Sequence, residues 1–344
     1  MTFRSLKPAA LMGLAVLAAG VSPLRAQDAG ETIRAAAGES ISLSQPRAVT
    51  SLDIDPRGET LAASGLDGAV RLWSLATGAA GPVFQIHEGD AAAVRFTAND
   101  RHLLTTGADG QVALLDAAAG TRVRTWRFPT WCLGLAVIDG DTAAVGCADL
   151  KIRILNLGDD RVVREIQAPG DLQYQYVISL SASPDGRLLA SNNPLTLYDV
   201  ETGEQRGSVP SFAQRVTFSP DGRSLLGGSM KAGASVVSVD PLQARARLVT
   251  DVEQQAQTPS GRQTVRQGMP IYGVVWSPDG RFFATGGLDR LVRIWRMQDG
   301  AEPVEVTRLE GHESAISALA WRGDHLVSGD LGGHIRIWRL TSGS

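Results

Sequence analysis

The chain has 344 residues, of which 43% are hydrophobic and 20% are charged, and its formal net charge at pH 7 is −3. This composition permits a large buried core and excludes a chain that is disordered throughout. The mild acidity, without a cluster of lysine and arginine, argues against nucleic acid as a partner.

The first 26 residues have the pattern of a cleavable secretory signal peptide. A basic stretch with Arg4 and Lys7 precedes an uncharged apolar run over residues 9–21, and Ala26 is a small residue at which a signal peptidase could cut. The run is too short to span a bilayer of about 30 Å as a helix. We expect a periplasmic or secreted protein without stable membrane insertion, in which residues 27–39 form a linker. A membrane-retained N-terminus is the alternative.

Internal repeats predict the fold of the remaining chain. Seven times, an apolar strand pattern is followed by a turn, a second strand that ends in small residues, and a third strand. The clearest third strands read apolar-Arg-apolar-Trp and end at Trp73, Trp295 and Trp338. Aligned on this position, the copies end at residues 73, 115, 155, 198, 238, 295 and 338, and five of the six steps are 40–43 residues long. A period of about 40–45 residues is typical of four-stranded propeller blades.

The repeats resemble the WD40 repeat family over residues 40–341. The resemblance is carried by Ser-Pro-Asp-Gly turns that begin at residues 183, 219 and 277, by the Gly311-His312 pair, and by an Asp six residues before Trp73 and Trp295. It implies an all-β, seven-bladed WD40-type β-propeller. Residues 40–43, just before the first repeat, alternate as a strand does, and we expect them to supply the fourth strand of the last blade and so to close the ring.

Blades of this family hold a hydrogen-bonded tetrad of His, Ser or Thr, Asp and Trp, and the resemblance implies structural roles for the matching residues here. No copy in this sequence shows all four. The last copy has His312, Ser328 and Trp338, but Gly332 stands at the position of the Asp.

The second copy has His87, Thr105 and Asp109, but Leu115 stands at the position of the Trp. One turn position is acidic in four copies, namely Asp67, Asp109, Asp149 and Asp289. A ring of carboxylates can indicate a cation site, but the resemblance implies hydrogen bonds that stabilise the turns.

The sequence lacks the common motifs of catalysis. It contains no covalent haem motif, no zinc-protease motif, no phosphate-binding Gly-Lys-Ser/Thr loop and no Gly-x-Ser-x-Gly elbow, and its five histidines are scattered. The sequence therefore predicts no catalytic residue, no metal site and no cofactor.

The two cysteines are predicted to face each other across one hairpin. Asp139-Gly140 suits a two-residue type I′ turn, and counting outward from it pairs residue 137 with 142 and Cys132 with Cys147. This register places the cysteines at a hydrogen-bonded pair with Cα atoms about 5.5 Å apart. Export makes a disulfide plausible, and two buried thiols are the alternative.

The partner-binding face is predicted from the residue that precedes the first strand of each blade. Three consecutive blades have an aromatic residue there, and we call Trp131, Tyr176 and Phe212 the aromatic crescent; Tyr174 lies nearby. Aromatic residues with a polar rim are typical of binding hot spots, although neighbouring loops could instead cover the rings. The remaining long step marks an inserted loop at residues 251–268, where Arg262 and Arg266 give a basic edge.

The resulting functional hypothesis is a periplasmic scaffold that holds a protein partner and is not an enzyme. Two alternatives stay open: an enzyme or cofactor-binding propeller that uses the central channel, and a sensor of small molecules or glycans.

Overall fold

The computed structural model describes residues 32–170, 176–192, 194–210, 213–229, 233–248, 251–258, 261–298 and 301–343. The described residues form seven four-stranded antiparallel sheets and one two-stranded hairpin. In six of the four-stranded sheets, which we number blades 1 to 6 in chain order, the four strands are consecutive in the chain and lie side by side. The seven-bladed β-propeller that the repeats predict is therefore confirmed.

The first three blades contain β2 (Val49–Ile54) to β5 (Ala80–Gln85), β6 (Ala91–Phe96) to β9 (Arg122–Arg127), and β10 (Cys132–Val137) to β13 (Val162–Gln167). Their middle strands are β3 (Thr60–Gly65), β4 (Ala69–Ser74), β7 (His102–Gly107), β8 (Gln111–Asp116), β11 (Thr142–Cys147) and β12 (Lys151–Asn156).

Blades 4 to 6 contain β14 (Leu180–Ala182) to β17 (Gln205–Val209), β18 (Ala213–Phe218) to β21 (Gln243–Leu248), and β24 (Ile271–Trp276) to β27 (Ala301–Leu309). Their middle strands are β15 (Leu188–Ser191), β16 (Leu195–Asp199), β19 (Ser224–Ser229), β20 (Ala234–Ser238), β25 (Phe282–Gly287) and β26 (Val292–Gln298).

The seventh blade joins the two ends of the propeller. Its sheet has the order β1 (Thr32–Ser44), β30 (His334–Gly343), β29 (His325–Asp330) and β28 (Ile316–Arg322). Strand β1 begins upstream of the predicted segment and pairs in antiparallel register with β30 from Thr32↔Gly343 to Ser44↔His334. The predicted closure by the N-terminal strand is confirmed, and neither of these two strands is left with an unpaired inner edge.

Apolar side chains between neighbouring blades form the core. The cluster that joins blade 7 to blade 1 contains Leu52, Trp73, Val327 and Ile337, all at most 6% exposed. Similar clusters lie at the other blade junctions that the structure describes. Because each cluster draws on two blades, the blades stabilise one another by burial of apolar surface.

The Ser-Pro-Asp-Gly turns hold the first two strands of a blade together. In the turn of blade 5, Ser219 Oγ lies 2.6 Å from Asp221 Oδ1 and accepts a 2.9 Å hydrogen bond from Ser224 N. Gly222 has a φ of +71°, which a residue with a Cβ adopts only with strain. The turn composition therefore fixes where the first strand ends and the second begins.

A bulge recurs in the innermost strands. The register with the second strand shifts at the second residue of β2, β6, β10, β18, β24 and β28. A bulge adds one residue to one strand and re-aims the side chains on either side of it. Because the bulge is shared, the third residue has an equivalent position in each of these six blades, and so does the fifth residue.

The hairpin of blade 3 contains the disulfide, and its register corrects the prediction. Val137 pairs with Ala143 instead of residue 142, and Gly140 does not have the positive φ of a type I′ turn. The bulge beyond Gly134 then shifts the register so that Cys132 pairs with Cys147 as predicted. The two cysteines form a disulfide with Cα atoms 4.0 Å apart, closer than the predicted 5.5 Å.

The insertion forms a regular hairpin between blades 5 and 6. Strands β22 (Asp251–Thr258) and β23 (Gly261–Gly268) pair in antiparallel register from Asp251↔Gly268 to Thr258↔Gly261. The backbone of Arg262 and Arg266 belongs to β23. The sequence predicted only a loop here, because the polar composition of the segment hides its alternation.

Candidate partner-binding face

One face of the propeller is built from paired loops, which we call the loop face. In each of five blades, the N–H of the first turn residue after the second strand donates to the carbonyl of the residue before the innermost strand, at 2.8–3.1 Å. The donor and acceptor pairs are Leu66 and Ala48, Ala108 and Asp90, Ala148 and Trp131, Leu288 and Pro270, and Leu331 and Ala315. The sheets thus fix both sets of residues on a rigid surface.

The aromatic crescent is described only in part. Trp131 is 55% exposed, and its carbonyl is held by Ala148 N at 2.8 Å. Tyr176 is half-buried, and its carbonyl accepts a hydrogen bond from Asn192 Nδ2. Tyr174 and Phe212 lie outside the described residues, as do the side chains of the hairpin arginines, so the crescent as a unit stays a prediction.

Three leucines on the loop face were missed by the sequence reasoning. Leu66 is 45% exposed, Leu331 is 41% exposed and Leu288 is 37% exposed. They occupy the same turn position in blades 6, 7 and 1, which are neighbours around the ring, and we call them the leucine arc. The signal was present in the repeats, because each leucine stands in the turn where a polar residue is ordinary.

Beside the leucine arc, the acidic turn residues pair with arginines of the third strand. Asp67 accepts hydrogen bonds from Ala69 N and from the Arg71 guanidinium. Asp149 and Arg153 pair in the same way in blade 3, as do Asp289 and Arg293 in blade 6. We call these the arginine-type blades.

The pairing favours the ionised form of Asp67 and Asp149. Burial opposes the charge of Asp67, but the bonds from Arg71 and Ala69 N outweigh it and lower the pKa of Asp67 below its usual value. The pKa of Asp149 is lowered in the same way, by Arg153 and by Lys151 N against the opposing effect of burial. The predicted role of these residues in stabilising their turns therefore has a direct structural basis.

Blades 2 and 7 pair the acidic residue with histidine instead, and we call them the histidine-type blades. In blade 2, His87 Nδ1 lies 3.0 Å from Asp109 Oδ1 and Nε2 lies 3.2 Å from Thr105 Oγ1. Leu115 occupies the place of the indole and is fully buried. The blade keeps three parts of the tetrad and replaces the fourth by apolar packing.

Blade 7 has the complete tetrad, which corrects the sequence reading. His312 Nδ1 lies 2.8 Å from Asp330 Oδ2, Nε2 lies 2.7 Å from Ser328 Oγ, and Trp338 Nε1 donates to Ser328 Oγ at 2.8 Å. The Asp was missed because it stands at the end of the second strand, two residues before Gly332. Asp330 also accepts bonds from Gly332 N and His334 N, so it caps the same turn from a different position.

Two features of the described residues concern metal binding and membrane insertion. No group of three or more His, Cys, Asp or Glu side chains in this part of the chain is placed to hold a metal ion. Within the same residues, no helix is long and apolar enough to cross a membrane.

Comparison with known proteins identifies the repeats. The family described as "WD domain, G-beta repeat" matches residues 40–74, 262–296 and 303–339. The chain is 26% identical over 314 residues to telomerase protein component 1 of Mus musculus, and 24% identical over 315 residues to the protein of the same name of Rattus norvegicus. Both alignments cover 86% of this chain but only 11% of the relative, so the chain spans about a tenth of their length.

Proposed function

The chain is a WD40-repeat β-propeller, and from this premise we propose that it is an exported scaffold that holds a protein partner on the loop face. The observation that carries the proposal is the exposure of large apolar side chains in rigid turns of that face. Such side chains are usually buried, and when they lie together on a fixed surface they mark an interaction site.

The leucine arc and Trp131 have the chemistry of an interface core. The backbone of each is held by a hydrogen bond between two loops, so little conformational entropy is lost when a partner covers it. Arg71 and Arg293 lie five residues after Leu66 and Leu288 and are already paired with Asp67 and Asp289. Apolar anchors inside a rim of satisfied charges are typical of protein interfaces.

The face differs from the outer surface of the propeller. Val83 on β5 and Val163 on β13 are also exposed, at 60% and 54%, but they lie on the outermost strands of blades 1 and 3 and not in the turns of the loop face. Single exposed apolar residues of this kind are ordinary on soluble proteins. They therefore supply a matched control for the loop face.

Export is the second part of the proposal. It rests on the signal-like residues 1–26 and is supported by the disulfide between Cys132 and Cys147, since disulfides persist in oxidising compartments and are rare in the cytosol. Mass spectrometry of the protein purified from its own cells checks this part. A mature N-terminus near residue 27 is expected, and an intact N-terminus in the cytosolic fraction would contradict export.

The binding part is tested by affinity capture from the native cell envelope. The loop-face variant combines Leu66→Ser, Leu331→Ser and Trp131→Ala, and the control variant combines Val83→Ser and Val163→Ser. We expect the wild type and the control to retain the same partner and the loop-face variant to lose it, with all three showing the same circular dichroism spectrum. Equal capture by the loop-face variant would contradict the proposal.

A further inference from the structure

The central channel contains three charged side chains where the repeats otherwise place small or uncharged ones. One position of the innermost strands, the third residue of β2, β6, β10, β18, β24 and β28 and the residue just before β14, is small in six blades: Ser51, Ala93, Gly134, Ser179, Gly273 and Ala318. Four of these residues line the central channel, namely Ser51, Ser179, Gly273 and Ala318. In blade 5 this position is Arg215. The fifth residue is uncharged in five blades, but it is Asp53 in blade 1 and Arg95 in blade 2.

These charged groups line a cavity of about 200 Å³ that is surrounded by β2, β6, β14, β18, β24 and β28. Because six innermost strands contribute to it, the cavity is part of the central channel. Arg322, at the end of β28, also lines it, but its guanidinium donates to Pro56 O at 2.7 Å. Three cations and one carboxylate therefore share the cavity.

Arg215 reaches across the channel. Its Nη2 donates a 2.8 Å hydrogen bond to Thr50 O, although blades 5 and 1 are not neighbours in the ring. Arg95 Nη1 donates to Ser51 Oγ at 2.8 Å and to Val94 O at 2.6 Å. Both guanidinium groups thus use neutral oxygens, and among the described residues neither has a carboxylate within ion-pair distance. Each carries five N–H donors, so several remain for a ligand.

Burial and repulsion between the two guanidinium groups disfavour the charge of Arg215. Burial, together with nearby Arg95, lowers the pKa of Arg215 to about 10, which leaves it charged at neutral pH. Burial also raises the pKa of Asp53, although Arg95 and the N–H of Phe96 oppose the rise. Asp53 therefore compensates the two arginines only in part, and an added anion between Arg95 and Arg215 would relieve the repulsion between them.

Hydroxyl groups complete the lining. Ser179 Oγ accepts a hydrogen bond from Val216 N at 3.1 Å, and Ser181 Oγ accepts one from Phe218 N at 3.0 Å. A hydroxyl that accepts one hydrogen bond can still donate its own proton. The channel therefore presents guanidinium and hydroxyl donors around this cavity.

We propose that the central channel binds a small oxyanion, a phosphate or a small carboxylic acid, with Arg95 and Arg215 as its principal ligands. Planar guanidinium groups donate two parallel bonds to such anions. The cavity volume of about 200 Å³ accommodates a ligand of this size. The site is separate from the loop-face proposal, since no residue of the leucine arc lines the cavity.

The test is isothermal titration calorimetry of the mature chain with sodium phosphate and, separately, sodium succinate, in a buffer that contains neither. Saturable binding of at least one anion is expected. Arg215→Gln and Arg95→Gln should each weaken it at least tenfold. Arg101→Gln, which removes an exposed guanidinium paired with Asp116, makes the same change of charge and should leave the affinity unchanged.

The two anions distinguish phosphoryl from carboxylate ligands, and binding of either supports the site. No saturable heat with either anion, or equal affinity in Arg101→Gln and Arg95→Gln, would overturn the proposal. If Arg215→Gln does not fold, because its bond to Thr50 braces the ring, Arg95→Gln decides the outcome by itself.

Discussion

The arginine-type and histidine-type blades hold the same turn by different means. In blades 1, 3 and 6 the turn carboxylate pairs with an arginine on the third strand, whereas in blades 2 and 7 it pairs with a histidine from the preceding loop. In blade 2 the position of this arginine is taken by Ala113, so no guanidinium is available to the carboxylate. In blade 7 the position is Arg336, but its guanidinium donates to Gly311 O.

The difference shows that the repeat conserves an electrostatic requirement more than a particular side chain. A carboxylate that accepts several backbone N–H bonds needs one cationic or polar partner, and either neighbour in the blade can provide it. The histidine solution is the more deeply buried one, since His87 and His312 side chains are at most 1% exposed. We therefore expect the two blade types to respond differently to substitution and to pH.

The largest effect is expected from His312→Ala in blade 7. The substitution leaves Asp330 and Ser328 buried without their partner, which should lower the free energy of unfolding by about 4 kcal/mol. Chemical denaturation measures this value. His334→Ala, on an imidazole that is about half exposed, is the control and should change it by less than about 0.5 kcal/mol. A small loss for His312→Ala would show that the tetrad does not stabilise the closing blade.

Reduction of the disulfide in the arginine-type blade 3 comes next. Opening the 15-residue link between Cys132 and Cys147 should cost about 3 kcal/mol in the chain-entropy model. Denaturation with and without a phosphine reductant measures the difference. A double Cys132→Ala/Cys147→Ala variant should show no response to the reductant, and a response there would assign the effect to something other than the disulfide.

The indole hydrogen bonds should contribute equally in both blade types. Trp338→Phe removes the bond to Ser328 in blade 7, and Trp295→Phe removes the 2.9 Å bond to Thr285 Oγ1 in blade 6. Each should lower the free energy of unfolding by about 1–1.5 kcal/mol. Markedly unequal losses would show that the indole is coupled to histidine and would contradict independent contributions.

The smallest effect concerns pH in blade 2. Burial lowers the pKa of His87 below its usual value, although Asp109 opposes the shift. As pH falls below about 6.5, the unfolded chain therefore takes up a proton that the folded chain resists, and stability decreases. The wild type should lose more stability between pH 7 and pH 5 than His87→Gln, which cannot take up this proton. Parallel pH profiles would contradict this explanation.

Much of the fold follows from the sequence because its signals are local and repeated. The period between third strands, the alternation of residues 40–43 and the spacing of the cysteines predict the seven blades, their closure and the disulfide. The bulge at residue 133 could not be predicted from the sequence, because no residue type marks it. The predicted turn register was wrong by one residue, and the bulge shifts the register back, so that the two cysteines still pair.

The functional surfaces were less accessible from the sequence. Asp330 was missed because it stands two residues before the position at which four other blades have their turn Asp. A search at a fixed distance from the Trp does not find a carboxylate that caps the same turn from a different position in the chain. Arg95 and Arg215 were missed because they lie in different blades and meet only in the ring. Comparison of equivalent strand positions would have shown both as exceptions among small residues.

Site-specific photo-cross-linking tests the central claim, that the loop face binds a protein partner, most directly. A benzophenone side chain is introduced at position 66 in one variant and at position 163, on the outermost strand of blade 3, in another, and both are irradiated in their native cells. We expect a discrete cross-linked species from position 66 and none from position 163. Cross-links only from position 163, or from neither position, would contradict it.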